Sequence, residues 1–154
     1  MLEERLAPLV KGNIELGSGL ERAVYKGDKL GRFGFKNIHV YIKEHEVVVL
    51  ELDETLTLSL KGVLLVGEQQ GFVTVDMGAV KFLYNGADVM APGIVEVSGD
   101  FEKGDIVWVR DETNKKPLSM GLALISAREL ELRKQGKAIR SFHHIGDFLW
   151  TAHL

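Results

Sequence analysis

Apolar residues in this chain recur mostly at alternate positions, in short runs separated by glycine and polar turns. Ile38, Val40 and Ile42 alternate with His39, Tyr41 and Lys43, the period of a half-buried strand. Glu44-His45-Glu46 interrupts the run, and Val47 to Leu52, rich in β-branched residues, predicts a second strand. After a turn at Asp53-Glu54, Leu56, Leu58 and Leu60 alternate with Thr55, Thr57 and Ser59 as a third. Links this short predict an antiparallel meander. Val63 to Val66 fits either a strand or a short buried segment. Upstream, Gly12, Gly17, Gly19, Gly27, Gly31 and Gly34 break any long helix. Glu3 to Val10 predicts one or two helical turns. Ser18 with Glu21 reads as a capping box that opens a short helix over Leu20 to Tyr25.

Phe72 to Val75 predicts a strand that runs into Asp76, a residue suited to cap a helix. Ala79, Phe82 and Leu83 fall on one face of that helix, and Asn85-Gly86 ends it. Ala91-Pro92-Gly93 predicts a tight turn, Pro fixing φ and Gly taking φ > 0. Strands follow at Ile94–Val97, Ile106–Val109, Leu118–Ile125 and Ala138–Phe142, with a last one over Asp147 to Trp150. Gly121 predicts a bulge or a close approach. Ser126, with Glu129 three residues on, caps a helix over Ala127 to Leu132. Evenly spaced short strands predict a small barrel or closed sheet, within an α+β, mostly β chain.

Charge and chemistry narrow the classes. The chain lacks cysteine, so disulfides and thiolate chemistry are excluded. Apolar runs such as Val47 to Leu50 are far too short to span a bilayer, and the first ten residues, MLEERLAPLV, do not read as a secretion signal; a soluble cytoplasmic protein is expected. The net charge of −3 counts against bulk attraction to nucleic acid. Its distribution is uneven, with Arg22, Lys26, Lys29, Arg32 and Lys36 facing only Asp28, and Arg128, Arg133, Lys134, Lys137 and Arg140 facing Glu129 and Glu131. Phosphate loops, dinucleotide fingerprints and nucleophile elbows are absent. Asp105 and Asp111 read as turn residues. His143 and His144 are adjacent on a strand, point to opposite faces and lack further ligands, so one is expected packed and the other exposed. Catalytic residues, metal and cofactor are therefore not expected. The Gly78 to Ile94 segment is a short helix, a glycine stop and a loop. Its glycines serve either close approach of a phosphate or sugar, or tight turns alone.

The segment DMGAVKFLYNGADVMAPGI resembles the helix and following loop of PUA domains. FEKGDIVWV, PLSMGLAL and GKAIRSFHHIGDFLW agree in order. Within that family, His143-His144, Gly146-Asp147 and Trp150 are similar to the ending of the malignant T-cell-amplified-sequence proteins and their archaeal relatives. The resemblance implies a PUA-type pseudobarrel over 75–154, preceded by a small α+β pre-PUA domain over 1–74. It implies binding of structured RNA, tRNA or ribosomal RNA, through Lys81, Gly86, Ala87, Asp88, Met90, Pro92 and Gly93, with Arg140, His143 and His144 on the closing strand. The resemblance also implies the role of the family's eukaryotic members, which act on the small ribosomal subunit with density-regulated protein as partner, although the N-terminal half is shorter here. Neither DNA nor a membrane is an expected partner. The near balance of cations and acids after Asp76 keeps open a protein-interaction module in translation without direct RNA contact.

Overall fold

A computed structural model describes residues 2–10, 19–25, 30–67 and 71–154, in two units: Met1–Gly67 with Phe148–Leu154, and Glu68–Asp147. The first unit is built on a four-stranded antiparallel sheet of β1 (Glu21–Val24), β2 (Ile38–Lys43), β3 (Glu46–Leu52) and β4 (Thr55–Leu58), in that order. The predicted meander of three strands is present. The fourth, β1, replaces the helix expected over Leu20 to Tyr25: the segment pairs along β2, from Glu21 opposite Ile42 to Val24 opposite His39, so edge pairing overrides its local pattern. The proposed cap Ser18 lies outside the described residues. Simple alternation also fails in β2, where Val40, Tyr41 and Ile42 are all buried. A register shift between Tyr41 and Ile42 re-aims the strand there.

Helix α1 (Leu2–Val10) packs on β4, and α2 (Leu60–Val66) on β3. Val63 to Val66 is thus helical and not a strand, and of the segment Val63 is buried while Leu64 and Leu65 are exposed. Ser59 explains the helix: its Oγ accepts from Gly62 N–H at 3.1 Å and donates to Val47 O at 2.7 Å, capping the helix and fastening it to β3. Gly62 lets the helix lie directly on the strand, since a Cβ there would run into the Val48 carbonyl. The residues from Asp147 to Trp150 do not form the expected strand. Phe148–Thr151 is a short helix, α3 in this unit, packed on β3, and Leu154 N–H donates to His45 O at 2.7 Å.

Among the described residues of this unit one carboxylate is buried. Glu51, 7% exposed, accepts from the Tyr41 hydroxyl at 2.6 Å and lies 3.5 Å from Arg22 and 3.7 Å from Arg5. Burial would raise its pKa. The Tyr41 bond and the charges of Arg22, Arg5 and His39 outweigh that and hold it below the ordinary carboxylate range. Burial and the same bond push the Tyr41 phenol up.

The second unit is a curled six-stranded sheet. Its strands are β5 (Phe72–Val75), β6 (Val89–Met90), β7 (Ile94–Ser98), β8 (Ile106–Asp111), β9 (Pro117–Ala123) and β10 (Lys137–His144), in the order β6-β10-β9-β8-β5-β7. Among the described strands only β5 and β8 pair in parallel. Because β5 pairs with both β7 and β8, this unit begins ahead of the 74/75 boundary expected from the sequence. Val73, Val75, Ile94, Val107, Leu118 and Ile139 form its core together with Leu83 from helix α4 (Met77–Tyr84) and Leu130 from α5 (Ala127–Leu132). Gly121 provides the expected close approach, as a Cβ would collide with the Arg140 carbonyl on β10.

Candidate nucleic-acid interface

Helix α4 is fixed at both ends. Asp76 Oδ1 accepts from Ala79 N–H at 3.1 Å, and Asp76 N–H donates to Gly93 O at 2.9 Å, tying the helix start to the 3-10 turn Ala91–Gly93. At the other end Gly86 N–H donates to Leu83 O and Ala87 N–H to Phe82 O, both at 3.0 Å. Gly86 has φ +83°, the left-handed conformation expected of it. Gly93 does not: it lies in the 3-10 turn without positive φ, and a Cβ would make only ordinary contact with Ala79.

The loop is then stitched to β10. Val89 and Met90 pair with Ile139 and Lys137, and Ala91 N–H donates to Gly136 O at 2.7 Å. Asp88 Oδ1 accepts from Ser141 N–H at 3.0 Å, while Oδ2 lies 3.3 Å from Lys137 Nζ. The amides of Gly86, Ala87 and Ala91 are spent inside the fold, as is that of Ile94, which bonds Ala91 O. Those four amides are therefore closed to a ligand.

The two histidines differ in burial: one is packed as expected, while the other is half-buried and not exposed. His143 is fully buried, its Nδ1 at 3.0 and 2.9 Å from the two Asp147 oxygens, and Asp147 Oδ2 also accepts from His144 N–H at 2.9 Å. His143 therefore positions the strand end and cannot touch a ligand at the surface. His144 is half-buried and donates from Nδ1 to Ile145 O at 2.9 Å, which leaves Nε2 of the neutral ring as the acceptor. That nitrogen would stand 3.1 Å from a Cβ at position 86, so Gly86 makes room for the ring.

Lys81, Met90, Pro92 and Arg140 are exposed, and Gly86, Ala87, Asp88 and Gly93 half-buried. A groove of about 470 Å³ gathers Ala87, Asp88, Met90 and Gly93 with Ala79, Phe82, Leu83, Val89 and Lys137. Phe82 and Lys137 are the residues that sequence reasoning missed. The helical period puts Phe82 beside Leu83 on the packed face; in the structure Leu83 is buried while Phe82 is 55% exposed. Met90 is 48% exposed and Met77 41%. Exposed apolar side chains that share a groove, as Phe82 and Met90 do, are the informative exception on a folded domain. Lys81 Nζ sits 5.1 Å from the Phe82 ring centroid, within cation–π range. The signal in the sequence was the Lys-Phe pair itself, a cation beside an aromatic on a short helix. Among the described residues no three His, Cys, Asp or Glu side chains gather as metal ligands, and no helix is long and apolar enough to cross a membrane.

The PUA domain family model matches residues 71–145. An uncharacterized protein of Methanocaldococcus jannaschii is 39% identical over 115 residues, 75% of this chain and 71% of that one. Translation machinery-associated protein 20 of Schizosaccharomyces pombe is 31% identical over 150 residues, 94% of this chain and 83% of that protein. Among solved structures, a hypothetical protein of Pyrococcus horikoshii is similar with a TM-score of 0.72 and 27% identity, over 97% of this chain and 90% of its own.

Proposed function

The chain belongs to the PUA-domain family, together with the proteins named translation machinery-associated protein 20 and malignant T-cell-amplified sequence, and from that premise we propose that it binds structured RNA in translation. The reading is of a binding module without catalysis, acting in the cytoplasm on tRNA or ribosomal RNA, with the small ribosomal subunit as its setting. The observation that carries it is the exposed apolar groove of Phe82 and Met90 with Lys81, Lys137 and Arg140 on the same unit. Phe82 offers a face on which an unpaired base can stack, and Met90 and Ala87 can cover its edge. Lys81 and Arg140 supply phosphate contacts, which set register. Lys137 is held by Asp88 and fixes the groove wall. Selectivity then comes from RNA shape and 2′-hydroxyls.

Filter binding to tRNA and to ribosomal RNA fragments across a salt series tests this. Replacing both Lys81 and Arg140 by Ala is expected to lower the slope of log affinity against log salt by about 1.5 to 2, one unit or slightly less per lost phosphate contact. An unchanged slope overturns the assignment of those two residues.

A second reading rests on charge. Acids and cations nearly balance from Asp76 onward, and the groove is mainly apolar, features that also suit a protein partner. Capture of a translation factor that survives nuclease, with no affinity for RNA, would favour it.

A further inference from the structure

The first unit holds a separate cavity of about 360 Å³, lined by Val24, Tyr25, Phe35, Lys36, Asn37 and His39 among others, a size within the small-ligand range of about 300–1,000 Å³. Unlike the groove of the second unit, its exposed lining is mostly polar. Its walls are fixed by backbone. Val24 stands opposite His39 across β1 and β2, and Tyr25 N–H donates to Ile38 O at 2.9 Å. The amides of Lys36 and Asn37 both donate to Asp53 Oδ1 at 2.9 Å, and Asp53 N–H returns to Asn37 O at 2.7 Å. A rim held this way needs little ordering when a ligand arrives.

Three features point to the ligand's chemistry. His39 Nδ1 is buried without a hydrogen-bond partner, a state that costs free energy until a partner supplies the missing bond. Lys36 is exposed, with the Asp53 carboxylate near enough to feel its charge, whereas the cations Arg5 and Arg22 are committed to Glu51. Their commitment also neutralises the carboxylate that sits opposite His39 across β2 and β3. Tyr25, whose ring already lies 6.1 Å from that of Phe148, and Phe35 bring two half-buried aromatic rings, and Asn37 a carboxamide able to donate and accept. Rings to stack on, mixed donor and acceptor edges, and one cation match a base joined to a phosphate.

We propose that this cavity is a second binding site, taking one unstacked nucleotide with its base against Tyr25 and Phe35, its edge towards Asn37 and His39, and its phosphate on Lys36. The nucleotide is either free or part of a single strand. The site belongs to the first unit, and its assignment does not depend on that of the second unit's interface.

Amide NMR of the full chain, titrated separately with AMP, a single-stranded hexa-adenylate and inorganic phosphate, tests the proposal. AMP or the oligonucleotide is expected to move the signals of Tyr25, Asn37 and His39, including the Asn37 side-chain amide. Tighter binding of AMP assigns a free nucleotide, and tighter binding of the oligonucleotide assigns a strand. Lys36→Glu, an exposed change, is expected to weaken that response about tenfold or more, by losing a charged contact and adding a repulsive one. Asn37→Ala gives a second, neutral change. The proposal is overturned if neither nucleotide moves these signals in the unaltered chain, if phosphate alone reproduces the pattern, or if both variants bind as before. Structured RNA that leaves Phe82 and Met90 unmoved would sink the other interface while leaving this one intact.

Discussion

A histidine can serve an interface by touching the ligand or by holding the strand that does, and here the neighbours His143 and His144 take different parts. His143→Ala removes a fully buried ring from both Asp147 oxygens, so it is expected to cost about 3 kcal/mol of stability, with RNA affinity lost only as the fold weakens. Phe82→Ala is the reverse case: more than half exposed, it should leave the melting temperature within a degree or two while weakening RNA binding by about 1–3 kcal/mol. Chemical denaturation beside filter binding separates the two, and equal effects from both variants would refute the division. Glu51 adds a pH dependence. Its folded pKa lies below its unfolded one, so its contribution is fully present above the ordinary carboxylate range and is lost as pH falls through the lowered folded value. Asp53, lowered by the amides of Asn37 and Lys36, acts in the same direction. Unfolding followed from pH 7 into acid is expected to show this loss, and Glu51→Gln to flatten it.

At the scale of elements, the loop after α4 depends on two residues that do opposite things. Gly86 supplies a conformation, and Asp88 a tether to β10. Gly86→Ala is expected to cost about 1–2 kcal/mol from the left-handed backbone, and to displace the His144 ring. Asp88→Ala should free the loop edge, seen as faster hydrogen exchange at the Ser141 amide; unchanged exchange would show that β6 pairing alone holds it. Much of this was legible in the sequence. Asp76 and Ser126 announce their helices by residue type and position, because an N-cap bond is local. What was not legible depends on distant partners. β1 is a strand because β2 is there to pair with it, and α2 is a helix seated on β3 through Ser59 and Gly62. The burial of His143 follows from Asp147, but the exposure of Phe82 follows from what the rest of the sheet leaves uncovered, which no helical period encodes.

At the scale of the molecule, the family resemblance fixed the second fold, while the unit boundaries emerged only in three dimensions. Residues 68–147 contain every strand of the second sheet, whereas 148–154 return to the first unit. A fragment 68–147 is therefore expected to melt cooperatively by circular dichroism. A fragment 75–154 lacks most of β5, the strand between β7 and β8, and should not; equal stability of the two would place the boundary elsewhere. The central claim, that RNA lies on the α4 groove, is tested most directly by ultraviolet crosslinking of the full chain to a bound tRNA or ribosomal RNA fragment, with the adducts mapped by mass spectrometry. The account predicts adducts at Phe82 and elsewhere within 77–93, with others on 137–144. Bound RNA that leaves 77–93 without adducts would contradict it.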